Sequence, residues 1–520
     1  MIHLLKKYFS LPLFLFCTSL FPLRLLAQPK YEFRAVWVAT VDNIDWPSSK
    51  YLSSDSQKAE FIKLLDLHQG NGMNAIIAQI RPATDAFYPS QYEPWSEWLT
   101  GTQGKPPVPY YDPLEFMITE THKRGMEFHA WMNPYRAEFK IGGSSIAPEH
   151  ITKLHPEWFL PYGDKLYFDP GNKQVQNFVT NVVTDVVHRY NVDAIHFDDY
   201  FYPYRIAGKE FPDSVSYVKY AHGINKDNWR RSNVDSIILL LSRAIKKENK
   251  FCKFGISPFG VWRNIDKDPE GSNTRAGQTN YDDLYADILL WLRMKWIDYA
   301  APQLYWEFGH KLVGYETLID WWARHSYGRH LYIGHGIYKA FDSKSGAWKN
   351  PGELPNQIKK LREYPQVKGS IYFSSKTFES DPNGWNDSLK NNYYKYPALI
   401  PPMEWIDNAK PAIPVINNLT VIDHSNSIEM VFHIQNNLPS IKHYAVYITP
   451  KKEDIKNARI YKIVLAGNDL YIRLAAKMIP AEWNNFYLAI SAVSNTNNES
   501  EFSKLYNISR TNGQWVPGSL

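Results

Sequence analysis

The chain has 520 residues, 44% hydrophobic, 15% aromatic and 21% charged, with 58 Lys and Arg against 53 Asp and Glu and two cysteines. That length predicts two to four domains with ample apolar material for a large core, and the composition excludes a disordered chain and a disulfide scaffold. Residues 1–27 carry Lys6, Lys7 and Arg24 and no acid, so the remainder holds 55 basic against 53 acidic residues and lacks the charge of a nucleic-acid binder.

The basic start at Lys6 and Lys7, the apolar run Leu11 to Leu20 and the Leu25-Leu26-Ala27 exit read as a secretory signal peptide over 1–27. Phe16 precedes Cys17 where lipoprotein processing calls for a small residue, which disfavours a lipid anchor. Cys252 is then the sole mature cysteine, expected as a buried thiol, and no later apolar run is long enough to span a bilayer. Soluble export to the periplasm or cell surface follows.

Over 28–395 short β-rich runs alternate with amphipathic stretches. Eight strands are expected at Phe33 to Thr40, Asn74 to Arg81, Met126 to Asn133, Val192 to Asp198, Lys253 to Pro258, Ile297 to Tyr305, His330 to His335 and Gly369 to Ser374. Helices are expected between them, among them Gln57 to Gln69, Lys173 to Tyr190 and Tyr281 to Met294. This is the order of a (β/α)8 TIM barrel. Five prolines between Pro397 and Pro414 predict an extended linker over 396–411. The alternating runs Ser427 to His433, His443 to Ile448, Arg459 to Val464, Asp469 to Leu474 and Asn485 to Val493 then predict a small fibronectin type III-like β-sandwich over 412–510, with 511–520 as a tail.

In such a barrel the reactive groups sit at the C-terminal strand ends. The fourth strand ends in His196-Phe197-Asp198-Asp199-Tyr200, the most acid-rich of the eight, amid Gln79, Arg81, Asp85, Trp131, Asn133, Tyr135, Arg136, Gln303, Tyr305, Trp306, Glu307 and His335. Carboxylates among amides and flat rings suit glycosidic cleavage: two acids handle protons or attack the anomeric carbon, amides hold hydroxyls and rings stack on sugar faces. Each candidate also has a purely structural reading. The Asp pair could be tied up by Arg81 or Arg136, Asp85 could shape a turn, His335 could be a satisfied core residue, and Glu307 a solvated loop acid. No His or Cys spacing calls for a metal, and no cofactor is expected.

The motifs Phe33 to Thr40 (FRAVWVAT), Gln79 to Pro82 (QIRP), Glu93 to Ser96 (EPWS), His129 to Arg136 (HAWMNPYR), Ile195 to Pro203 (IHFDDYFYP), Gly255 to Gly260 (GISPFG) and Ala301 to Trp306 (APQLYW) together resemble the glycosyl hydrolase-like family ten. The resemblance implies a TIM barrel glycosidase exported by a bacterium, at times followed by a fibronectin-like domain. It also implies a cell-wall substrate, since an enterobacterial relative acts on peptidoglycan strands stripped of their peptides. The common pair of glutamates after strands 4 and 7 does not fit, because strand 7 bears no carboxylate. Asp193 to Tyr200 is similar to the strand-4 motif of chitinase-type enzymes, with Asp198 on one of its aspartates and Tyr200 where those enzymes place their acid. On that basis Asp198 is expected as nucleophile or acetamido-orienting carboxylate, and Asp199 or Glu307 as general acid. Substrate contacts are expected from Arg81, Asp85, Trp131, Asn133, Tyr135, Arg136, His196, Tyr200, Gln303, Tyr305, Trp306 and His335. The alternatives are a dietary or host polysaccharide as substrate, and a catalytically silent glycan-binding barrel. Oligomeric state is left open.

Overall fold

The computed structural model describes residues 28–342, 344–475 and 479–518. The expected signal peptide with Cys17, and the last two residues of the expected tail, lie outside them. Eight parallel strands close into a barrel: β1 (Phe33–Val38), β2 (Ala75–Arg81), β3 (Glu127–Met132), β4 (Ala194–Phe197), β5 (Lys253–Ile256), β6 (Tyr299–Ala300), β7 (His330–His335) and β8 (Val367–Tyr372), with β1 pairing β8. Every residue of β1 to β7 is buried, as expected of parallel strands covered on one face by helices and on the other by the barrel interior.

The covering helices start where the chain supplies a cap. Ser53, Asp112, Asn172 and Asn225 each accept a backbone N–H at the start of Ser54–Gly70, Pro113–Lys123, Lys173–Arg189 and Lys226–Glu248. The helix expected over Tyr281 to Met294 is instead two short ones, Asn280–Asp283 and Ile288–Arg293. Tyr285 lies between them at φ 55, and Asp287 caps the second.

Barrel closure depends on Gly369. Its φ is +149, and a Cβ there would lie 1.9 Å from the Phe33 carbonyl oxygen. Since that neighbour is backbone in the adjacent strand, it cannot swing aside. Gly369→Ala is therefore expected to cost roughly 2–3 kcal/mol, read as a lowered melting temperature.

The C-terminal domain is a two-sheet sandwich. Strands β9 (Ile416–His424), β10 (Ser427–Ile434) and β13 (Asp469–Ala475) form one sheet in the order β9-β10-β13. Strands β11 (Ile441–Thr449), β12 (Ile460–Leu465), β14 (Asn485–Ser494), β15 (Tyr506–Thr511) and β16 (Gln514–Gly518) form the other, in the order β12-β11-β14-β15-β16. This is the strand order of a fibronectin type III-like sandwich with one strand added. The expected tail is thus corrected, because β16 pairs with β15 across an Asn512-Gly513 turn whose residues both have positive φ.

The Pro-rich connector is not a free spacer. Leu399 exchanges backbone hydrogen bonds with Lys30 and Glu32, Met403 N–H donates to Thr496, and the Trp405 indole donates to Asp298 at 3.0 Å. Proline forbids helix but leaves the apolar side chains Leu399, Ile400 and Met403 free to bury, and they do. The sandwich packs against the N-terminal end of the barrel through a buried ionic cluster. Lys442 of β11 bonds Glu127 (3.0 Å) and Asp193, Lys253 also meets Glu127, and His122 bonds Asp193 at 2.8 Å. Burial opposes ionisation of Glu127, but Lys253 and Lys442 hold it well below the usual carboxylate range. The sandwich therefore lies at the end of the barrel opposite the C-terminal strand ends.

Candidate active site

A cavity of about 520 Å³ opens at the C-terminal strand ends. Its floor and walls come from Trp37 and Ala39 after or on β1, Gln79 on β2, Asn133 after β3, Asp198 and Asp199 after β4, Ser257 after β5, Gln303 after β6 and Phe373 after β8. Among the described residues lining it, Asp198 and Asp199 are the two carboxylates.

The pair is buried and the partners of its two members differ. Asp198 accepts the Trp131 indole N–H at 3.1 Å and the Tyr200 backbone N–H at 3.3 Å. Burial, reinforced by the neighbouring charge of Asp199, pushes Asp198 up to about 7 despite those donors and Arg136. Burial also raises Asp199, but the Tyr204 hydroxyl donates to it and Gln303 and Arg136 favour its charged form. Neither Asp is consumed in an ion pair with Arg81. That guanidinium forks onto Glu93 at 2.8 and 3.0 Å, with both side chains buried.

The polar wall facing the acids is set by one amide. Gln79 Oε1 accepts two backbone N–H groups, from Thr40 at 3.0 Å and Val41 at 2.9 Å, which fixes its orientation. Its Nε2 must then donate to Asn133 Oδ1, 2.9 Å away, so Asn133 Nδ2 is turned outward with no partner, a buried donor lining the cavity. Arg136 enters from a three-stranded antiparallel sheet inserted between β3 and β4 (Arg136–Glu138, Phe159–Tyr162, Lys165–Phe168). Its guanidinium lies 4.3 Å over the Tyr200 ring and 5.6 Å from Phe139.

Of the expected site residues, the cavity gathers Asp198, Asp199, Trp131, Asn133, Arg136, Tyr200, Gln303, Tyr305 and Trp306. Six do not line it. Arg81, besides holding Glu93, donates to the carbonyls of Asn133 and Pro134 and so positions the β3 loop from behind. Asp85 is buried and accepts Ala83 N–H at 3.1 Å, shaping the β2 loop. Tyr135 is fully buried, and His335 is enclosed between Gln357 at 2.8 Å and Ser370 at 3.1 Å. The Glu307 carboxylate accepts the Trp348 indole at 3.0 Å. Burial raises its pKa, but its own backbone N–H, Ser345 and Trp348 outweigh that and hold it below the usual range, which makes it unsuited to donate a proton.

His196 lies deeper, in the barrel axis. The Trp37 indole can only donate, so His196 Nε2, 3.1 Å away, accepts. Nδ1 then carries the hydrogen toward Tyr299 (3.0 Å), Tyr299 donates to His129 Nδ1 (2.9 Å), and His129 Nε2 donates to Glu127 (3.0 Å). Burial keeps His196 neutral by lowering its pKa far below the usual value, and the imidazole fixes the cavity wall through Trp37 and Ser257. Cys252 is buried, its thiol pushed up to about 12, and is no nucleophile. Sequence reasoning did not select Trp37, Phe139, Tyr204, Lys339 or Phe373, which also line the cavity. Among the described residues no cluster of His, Cys, Asp and Glu is arranged to hold a metal.

The glycosyl hydrolase-like 10 family profile matches residues 32–347. The chain belongs to that family. It is similar to glycosyl hydrolase YngK of Bacillus subtilis (strain 168), 48% identical over 427 residues that cover 81% of this chain and 83% of the relative. It is similar also to glycosyl hydrolase DigH of Escherichia coli (strain K12), 38% identical over 370 residues that cover 66% of this chain and 83% of the relative. Among solved structures, α-L-fucosidase isoenzyme 2 from Paenibacillus thiaminolyticus aligns with a TM-score of 0.44 at 15% identity, over 70% of this chain and 50% of that one. The protein is a glycoside hydrolase, and a glycan is its substrate. No helix among the described residues is long and apolar enough to cross a membrane.

Proposed function

We propose that this glycoside hydrolase is exported and cleaves the glycan strands of bacterial peptidoglycan once their peptides have been removed. The observation that carries the chemistry is the buried pair Asp198 and Asp199, two acids of unlike surroundings in one aromatic-walled cavity. Adjacent carboxyls do not both ionise readily, so one proton is retained near neutrality, and Asp198 with its pKa near 7 retains it. Asp198 gives that proton to the glycosidic oxygen as the bond breaks. Asp199, whose charged form Tyr204 and Gln303 favour, steadies the positive charge that develops at the anomeric carbon, where water then adds and returns a proton to the Asp198 carboxylate. These roles reverse the expectation that Asp198 is the carboxylate and Asp199 the acid, and they dispense with Glu307. The outward Asn133 Nδ2 offers a donor for a ring hydroxyl or an acetamido oxygen, and Trp306, Tyr305 and Phe373 give flat apolar surface for sugar rings. Export is supported by the signal-like composition of residues 1–27, and the wall substrate by the family resemblance.

Incubation of the mature protein with peptide-free strands, intact sacculi and starch, followed by mass spectrometry of the soluble products, tests the substrate. Muro-oligosaccharides are expected from peptide-free strands, with far less from sacculi and nothing from starch. Products from starch or host glycans alone would overturn the wall reading and leave a polysaccharide-degrading enzyme.

A further inference from the structure

Two buried polar groups in the cavity have donors to spare, and a second cation faces them. Arg136 is 5% exposed, its Nε has no partner, and it makes no ion pair with any described carboxylate. Asn133 Nδ2, fixed outward by Gln79, is likewise unpartnered. Lys339 lines the cavity from the loop after β7. In the closed order of the barrel β7 lies four strands from β3, so Lys339 stands across the mouth from Arg136 and Asn133. Leaving buried guanidinium and amide donors unsatisfied is costly, and such donors are retained where a ligand completes them. Arg136 and Lys339 thus bring two cationic groups to the same cavity as the orphaned Nε and Nδ2 donors, an arrangement suited to an anionic acceptor.

We propose that the cavity is built for a sugar carrying a free carboxylate, which accepts from Arg136 and Asn133 and is drawn in by Lys339. Resting on the wall reading, the inference identifies that group as the lactyl carboxylate of a muramic residue. In intact wall the peptide is joined there through an amide, which removes the charge, so the same pocket discriminates stripped strands from peptide-bearing ones. Guanidinium is suited to this task because its planar fork matches a carboxylate.

The test uses Asp198→Asn protein, expected to hold glycan while turning it over far more slowly, and calorimetric titration with a muramic-containing tetrasaccharide in its acid and methylamide forms. The acid form is expected to bind at least about tenfold more tightly, and Arg136→Gln in the same background to erase the difference. Lys339→Gln, at a partly exposed position, serves where Arg136→Gln fails to fold, and is expected to narrow the preference. Equal binding of acid and amide overturns the proposal. So does a preference that survives both substitutions. Failure of the wall reading is separable: if the parent releases nothing from stripped strands, a glucuronate-containing oligosaccharide is titrated against its glucose counterpart. Preference for the acid there retains the carboxylate site with another substrate, and its absence removes both.

Discussion

Asp198→Asn is expected to lower kcat on glycan strands by roughly 10²- to 10⁴-fold, the range for loss of a positioned general acid. The asparagine fits the same space, and its carbonyl can still accept one of the two donors, Trp131 or Tyr200, that Asp198 now satisfies. What it lacks is a transferable proton. An aryl glycoside whose leaving group departs without protonation should therefore lose much less rate, whereas removal of a nucleophile would depress both substrates alike. The fold should not suffer. Asp198 has a folded pKa near 7, above the ordinary carboxyl value, so the folded state holds an extra proton between those limits and loses stability as pH rises through them. Asn escapes that loss, and the variant should melt higher than the parent at pH 8.

The second large effect is on stability. Glu93→Gln leaves the Arg81 guanidinium buried without its countercharge, and breaking one side of such a pair costs about 3–5 kcal/mol. The carbonyls of Asn133 and Pro134 that Arg81 also holds belong to the loop carrying Asn133 into the cavity, so residual activity should fall with stability. Chemical denaturation of the variant beside the parent measures the first, and kcat/KM at a temperature where both are folded measures the second. A change below about 1 kcal/mol would show that the pair is not the brace of the β2 and β3 loops that its burial indicates.

The barrel and the sandwich are unequally legible in the sequence. All eight barrel strands are legible because parallel strands buried on both faces read as continuous apolar runs, as in Ala75–Arg81. The acid-rich end of β4 stands out for the same reason: charge directly after such a run has little alternative but the mouth of the barrel. The sandwich is less legible. Strand β9 is mostly exposed and rich in Asn and Asp, which hides its alternation, although the Asn512-Gly513 pair was an available hairpin signal for β15 and β16.

Within the site, strand-end position is readable and depth is not. His196 and Asp198 share one face of β4 by the two-residue period, yet one turns into a hydrogen-bonded chain along the barrel axis and the other reaches the cavity. His335 ends β7 but faces Gln357 of the helix layer, a contact set by tertiary packing. Conversely, Tyr204 and Lys339 lie several residues past their strands and reach the site only because the loops fold back. The aromatic run continuing through Tyr204 was the one hint available.

If Asp198 carries the proton, the pH dependence of kcat/KM on a non-activated glycan follows its titration. A general acid works while protonated, so the parent should be active below about pH 7 and lose activity tenfold per unit above it, and the residual activity of Asp198→Asn should show no such alkaline limb. A parent profile flat from pH 6 to 9, or an alkaline limb that persists unchanged in Asp198→Asn, would contradict the assignment.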